Sequence, residues 1–136
     1  MSTQEEILNS SRVVAVVGLS PKTDRPSYNV ANYLKENGYK IIPVNPKAGE
    51  ILGEPSYPDL SSIPEPIDVV DIFRRSEEAM GIVEEAIRIG PKAVWMQEGV
   101  INEQAADRAR AAGLLVVMDK CMLKEHQKIR NSGNKR

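Results

Sequence analysis

Residues 13–27 read Val13-Val14-Ala15-Val16-Val17-Gly18-Leu19-Ser20-Pro21-Lys22-Thr23-Asp24-Arg25-Pro26-Ser27. Consecutive apolar residues without alternation describe a strand covered on both faces, the condition of a parallel sheet held between helices. Gly18 allows a tight turn at the strand end, and Ser20 offers a hydroxyl and a free N–H. Arg25 puts a cation near the start of a following helix, where backbone N–H groups and the dipole already favour an anion. A phosphate or pyrophosphate suits that environment. The plain alternative is a strand-to-helix turn with solvated Arg and Lys side chains. The glycine-rich dinucleotide fingerprint is absent, because Ser20 stands at its second glycine and Arg25 to Ser27 interrupt its third.

Four further apolar runs follow: Ile41 to Val44, Ile67 to Phe73, Ala93 to Met96, and Leu114 to Met118. Stripes with helical period separate them. One holds Val30, Ala31 and Leu34, a second Ala79, Met80, Val83, Ala86 and Ile87, and a third Ala105, Ala106, Ala109 and Ala112. Gly38, Gly90 and Gly113 close these helices, and Ser27, Ser76 and Asn102 are their expected N-caps. Ser2 with Glu5, or Thr3 with Glu6, forms a capping box for a leading helix over residues 2–9. Lys47 to Pro66 is proline-rich and holds only a turn of helix near Leu60. A last short helix spans Leu123 to Ile129, and the polar tail from Asn131 to Arg136 is expected to fray.

Strands alternating with helices predict an α/β, Rossmann-like, doubly wound fold: a parallel five-stranded sheet in three layers. The expected strand order is 3-2-1-4-5, in one domain over residues 1–136 with its core at about 7–129. Ligands of such sheets sit outside the carboxyl ends of the strands at the switch point, here expected between the first and fourth strands. The loops after Val17, Val44, Phe73 and Met96 are therefore the candidates.

Composition narrows the function classes. The 136 residues are 41% hydrophobic and 27% charged, outside the disordered range. Eighteen Lys and Arg against 19 Asp and Glu leave a net charge of −1, with no global pull toward nucleic acid or an anionic membrane. The longest apolar runs hold about five residues, where a bilayer span needs roughly 20. The start Met1 to Glu6 lacks the regions of a secretory signal, so a cytoplasmic location is expected. One cysteine and one histidine exclude a disulfide framework and a Cys/His zinc cluster within one chain.

Each remaining loop carries a specific signal. The second strand ends Pro43-Val44-Asn45-Pro46-Lys47 and lacks the acidic residue that binds a bare ribose diol; Lys47 suits a phosphorylated ribose, as in NADP or the 3′-phosphoadenosine of coenzyme A, unless it is a surface lysine. The third loop, Phe73-Arg74-Arg75-Ser76-Glu77-Glu78, sets two cations against a helix dipole, a conflict that an anionic ligand or the two glutamates would relieve. In the fourth, Gln97 and Glu98 precede Gly99 and would bond an adenine edge, a pantetheine amide or a substrate, or else cap the next helix. Catalytic machinery is hard to find. His126 lies on a polar helical stretch, Cys121 reads as a buried inert thiol, and Asp71 reads as a strand residue bonding loop backbone near the switch point.

Taken together, Gly18-Leu19-Ser20, Arg25-Pro26-Ser27, Pro43-Val44-Asn45-Pro46, Asp71-Ile72-Phe73-Arg74, Gln97-Glu98-Gly99 and Asp119-Lys120-Cys121 resemble the small stand-alone CoA-binding proteins. These are similar to the N-terminal CoA-binding domain of the succinyl-CoA synthetase α subunit. The resemblance spans about residues 7–129 and implies a Rossmann-like fold holding coenzyme A along the strand ends. It implies that Gly18, Leu19, Ser20 and Pro21 meet the pyrophosphate, and that Lys47 meets the 3′-phosphoadenosine. Met96, Gln97 and Glu98 would line the pantetheine arm, with Phe73 and Arg74 bordering the cleft. The synthetase's phosphorylated histidine lies in a second domain, so its catalytic step does not carry over. Lys120 stands where many members would have arginine.

The resulting expectation is a non-catalytic protein that binds coenzyme A or a short acyl-CoA. Its candidate residues are Gly18, Leu19, Ser20, Pro21, Arg25, Ser27, Asn45, Lys47, Phe73, Arg74, Met96, Gln97 and Glu98. The alternatives are a small NADP-dependent oxidoreductase or a partner subunit of an acyl-CoA enzyme, either of which would need catalytic groups from a partner chain or from Glu98 and Cys121, and a CoA-sensing module that binds another protein. A homodimer through a helix face is also compatible with a domain of this size.

Overall fold

The computed structural model describes residues 2–132. In chain order these form α1 (Thr3–Ser10), β1 (Val13–Val17), α2 (Pro26–Glu36), β2 (Lys40–Val44), β3 (Glu50–Ile51), β4 (Glu54–Pro55), β5 (Val69–Ile72), α3 (Ala79–Ile89), β6 (Ala93–Met96), α4 (Glu103–Ala111), β7 (Leu115–Val117) and α5 (Met122–Asn131). Short 3₁₀ turns stand at Leu60–Ser62 and Ser76–Glu78.

Local chemistry starts and stops these helices. Ser2 Oγ accepts the Glu5 N–H at 3.2 Å while the Ser2 N–H donates to Glu5 Oε1 at 2.9 Å, the reciprocal box expected for α1. Asn102 Oδ1 accepts the Ala105 N–H at 2.9 Å and caps α4. The other two expected caps are corrected. Arg25 occupies the N-cap of α2 with Pro26 at its first turn, and Ser76 opens the 3₁₀ turn ahead of α3. Residues of the expected tail also differ, since Asn131 completes α5 and Ser132 is its C-cap; residues 133–136 lie outside the described residues.

The long strands form one parallel sheet in the order β2-β1-β5-β6-β7. Val14, Val16, Val69, Trp95 and Val117 face α1, α2 and α5, whereas Ala15, Val70, Ile72, Val94 and Met96 face α3 and α4. Helices therefore cover both faces, which accounts for the unbroken apolar runs.

In the numbering of the five long strands this order is 2-1-3-4-5, correcting the expected 3-2-1-4-5. Pro43 supplies the reason. Its carbonyl points away from β1 and accepts the Tyr57 N–H at 3.0 Å, so its missing N–H belongs to that outer side as well. A ladder strand there would lack a donor, and proline confines β2 to the edge. The chain instead crosses β1 through residues 45–68 and pairs β5 on its far side. The switch point thus lies between β1 and β5. Within that crossover, the β3–β4 hairpin turns at Leu52 and Gly53 and is too short to show as an apolar run.

Candidate functional site at the sheet switch point

β1 and β5 end side by side, and the chain leaves them in opposite directions, opening a cleft at the carboxyl edge. Gly18 makes this close packing possible. Its φ is +90°, and a Cβ built there would lie 2.3 Å from the Phe73 carbonyl oxygen and 2.8 Å from Arg74 Cδ. The same approach lets the Phe73 N–H donate to the Val17 carbonyl at 2.8 Å, one residue beyond the strands.

The main cleft has a volume of about 660 Å³ and runs between the start of α2 (Pro26, Val30), residues 73–75 with Glu78, residues 97–100, and Cys121. A second groove of about 320 Å³ holds Gly18, Val44, Pro46 and Asp59. Arg74 and Glu78 line both and form the wall between them.

That wall is an ion cluster. Glu78 accepts from Arg74 Nε at 2.8 Å and Nη2 at 3.1 Å, and from Arg75 Nη2 at 3.2 Å. These bonds hold the Glu78 carboxyl down at about 2. Glu78 thus relieves the conflict between two arginines and a helix start. Across the cleft, Glu98 accepts from Lys124 Nζ at 3.0 and 3.1 Å. The loop that carries Gln97 and Glu98 is braced from both sides. Ser76 Oγ accepts the Ile101 N–H at 2.9 Å, and Asp119 Oδ1 accepts the Gly99 N–H at 2.8 Å.

The first loop is folded by its own serines. The Ser20 N–H donates to Ser27 Oγ at 3.0 Å, and the Lys22 N–H donates to Ser20 Oγ at 3.1 Å. Ser27 therefore ties loop to helix from a buried position instead of capping α2. The first turn of α2 carries no acidic residue and no side-chain cap, with exposed Arg25 beside it. Asn45 joins two loops: its Nδ2 donates to the Leu19 carbonyl at 2.9 Å, and its Oδ1 accepts the Lys47 N–H at 2.9 Å.

Four expected site residues, Phe73, Arg74, Gln97 and Glu98, converge on the main cleft, and Gly18 lines the adjoining groove. Ser20, Pro21, Arg25 and Lys47 occupy the same edge of the sheet but line neither. Leu19 and Met96 are fully buried, so their side chains are core, not cleft. Strand alternation was the available signal for Met96, because Trp95 and Gln97 share one face and Met96 takes the other. Cys121 is buried as expected yet lines the cleft. The signal for it is the carboxyl-edge rule itself, because the loop after the fifth long strand leaves the same edge of the sheet.

Two other expectations change. Asp71 bonds no loop backbone; it is fully buried, with Oδ1 accepting from Gln97 Nε2 at 2.7 Å, and burial pushes its carboxyl up to about 8. His126 is not a solvated surface group. Its Nδ1 shares a 2.7 Å hydrogen bond with the Tyr33 hydroxyl, its ring packs edge-on against Tyr33 and Tyr39, and burial lowers its pKa. Among the described residues no group of three or more His, Cys, Asp and Glu is placed to hold a metal ion, and no helix is long and apolar enough to cross a membrane.

Comparison with known proteins adds a family to this geometry. Residues 12–127 match the family described as CoA binding domain. The chain is similar to the uncharacterized protein YneT of Bacillus subtilis, with 42% identity over 122 residues covering 90% of each. It is 36% identical over 93 residues to acetate–CoA ligase [ADP-forming] II of Archaeoglobus fulgidus, covering 66% of this chain and 14% of the ligase. A solved structure of a hypothetical protein from Pyrococcus horikoshii superposes with a TM-score of 0.90 at 42% identity, over 94% of this chain and 92% of that one. About two thirds of the chain is thus similar to a segment of an acetate–CoA ligase [ADP-forming], and the chain belongs to the CoA binding domain family.

Proposed function

We propose that this chain binds coenzyme A, free or carrying a short acyl group, at the carboxyl edge of its sheet, and acts as a single binding unit without a catalytic centre of its own. The observation that carries this reading is the division of the site into a cationic end, with exposed Arg25 at the uncapped start of α2, and a cleft whose charges are neutralised in pairs, Arg74 and Arg75 on Glu78 and Glu98 on Lys124. Coenzyme A has a matching division: an anionic phosphorylated adenosine and pyrophosphate, then an uncharged arm of two amides ending in a thiol.

The pyrophosphate is assigned to the loop Gly18 to Pro21 and the uncapped first turn of α2, where backbone N–H groups and Arg25 favour an anion. Lys47 takes the 3′-phosphate side. The arm enters the main cleft past Phe73 and Arg74 to Gln97 and Glu98. Leu19 contributes only its backbone, and Asn45 and Ser27 act by fixing the loops. Arg74 borders the ligand while paired with Glu78. No base is assigned to Cys121, because His126 is engaged by Tyr33 and lines a separate hollow with Leu8, Asn37 and Arg130.

The test is calorimetric titration of the purified chain with CoA, NADP and NAD, with mass spectrometry of any ligand released on heat denaturation. The expected result is selective CoA binding in the micromolar range, about −8 kcal/mol. The Arg25→Ala, Lys47→Ala double variant is expected to weaken it about tenfold or more. NADP binding without CoA binding would overturn the assignment and revive the oxidoreductase reading.

A further inference from the structure

Asp71 stands in the middle of the sheet, in register with Val16 of β1 and Trp95 of β6. Its carboxyl is fully buried, and Oδ2 has no hydrogen-bond partner. An unpaired buried carboxyl oxygen is unfavourable, and stability alone would place an apolar residue here. Its single partner is Gln97, which is 2% exposed and lines the cleft. With Nε2 committed to Asp71, the Gln97 atom left without a protein partner is Oε1, open to the cleft.

We propose that Asp71 is a positioning residue that sets which edge of the Gln97 amide faces the cleft, and so whether the cleft takes a hydrogen-bond donor or an acceptor. An ionised Asp71 can only accept; Gln97 then donates inward and turns its carbonyl to the cleft, where a thiol S–H or amide N–H is the matching group. A protonated Asp71 can donate to the Gln97 carbonyl, which turns the NH₂ outward to meet the carbonyl of a thioester. The inference rests on the reading that the arm of coenzyme A enters this cleft, and it names the residue that tells free thiol from acyl ester. Burial holds the Asp71 pKa at about 8, within reach of neutral pH. The layer over this sheet face supplies Leu19, Val30 and Met122, and its titratable members include Tyr28, Tyr33, Tyr39 and Cys121, of which Cys121 lines the cleft. The charged groups are at the rim, Arg74 and Arg75 on Glu78, and Lys124 on Glu98.

The experiment titrates the full chain with CoA and with acetyl-CoA between pH 6.5 and 9 and follows the ratio of their dissociation constants. Both ligands carry the same phosphates, whose ionisation cancels in the ratio. The CoA thiol titrates equally in wild type and variant. In the wild type, preference for CoA over acetyl-CoA is expected to rise about threefold to tenfold through the Asp71 titration, the span of one net hydrogen bond. Asp71→Asn keeps the shape, removes the titration, and should leave only the slope due to the thiol. Gln97→Met, which removes both amide atoms at similar length, should do the same and serves if Asp71→Asn does not fold. Equal slopes in wild type and variants, with CoA still bound, would overturn the role of Asp71 and leave the proposed function standing. Absence of CoA binding at every pH would overturn both.

Discussion

Replacing Gly18 with alanine separates backbone strain from steric conflict, because Gly113 supplies a matched control. Both residues have φ of +90°, but a Cβ at Gly113 meets nothing within 4 Å, whereas at Gly18 it falls 2.3 Å from the Phe73 carbonyl oxygen. A left-handed alanine costs about 1–2 kcal/mol, partly offset by the stiffer unfolded chain. Gly113→Ala should therefore destabilise by about 1 kcal/mol. At Gly18 the obstructing atom is backbone, and it cannot retreat without disturbing the Phe73 N–H bond to Val17. Overpacking of this kind adds about 1–3 kcal/mol, for a total of about 2–4 kcal/mol at Gly18. With unfolding entropy near 2 cal/mol/K per residue, each kcal/mol shifts the midpoint by about 3–4 °C at this chain length. Thermal unfolding followed by circular dichroism should show a fall of about 7–14 °C for Gly18→Ala and about 3–4 °C for Gly113→Ala. CoA affinity should fall in the first variant only, since the displaced residues wall the cleft. Equal midpoints for the two variants would refute the close approach of β1 and β5 as the reason for glycine.

Asp71→Asn should also change how stability depends on pH. Above the ordinary Asp value of 3.8 the unfolded chain ionises this group, whereas the folded chain keeps its proton up to about 8, so the wild type loses stability across that window. Urea unfolding should find the variant level with wild type near pH 4 and ahead of it by pH 8, by an amount on the order of a few kcal/mol; a constant difference from pH 4 to 8 would count against the buried carboxyl. Cys121, the sole cysteine, lines the main cleft, so bound CoA should slow its alkylation by a thiol reagent; an unchanged rate at saturating CoA would place the ligand elsewhere. Asn102→Ala removes the cap on Ala105 and should cost about 1 kcal/mol in the same urea assay. Gly81→Ala, on an exposed turn of α3 with nothing within 4 Å, should stabilise by about 0.5–1 kcal/mol, and a loss of stability there would contradict the helix interior assigned to it.

Much of the candidate site was legible because it lies on loops whose positions follow from the strands. Phe73, Arg74, Gln97 and Glu98 each fall within two residues of a strand end, and the carboxyl-edge rule brings them together without knowledge of strand order. What escaped were properties of side-chain direction. Leu19 and Met96 adjoin site residues in sequence yet point into the core, and the hydroxyls of the first loop accept its own backbone, Ser27 from the Ser20 N–H and Ser20 from the Lys22 N–H. The pairing of both arginines with Glu78 was one of two outcomes the sequence allowed, and only packing selected it.

The sequence alone determined the class of fold, since unbroken Val and Ile runs separated by amphipathic stripes can be buried only as a parallel sheet between helices. It also determined the cationic, backbone-rich first loop. Strand order was decided by tertiary structure, although Pro43 already carried the information that β2 must be an edge. The inward-facing Asp71, its bond to Gln97 and the place of Cys121 on the cleft also required the folded chain. Local patterns encode which residues are buried, but hydrogen bonds between residues 26 positions apart depend on which strands become neighbours, and that is a property of the whole sheet.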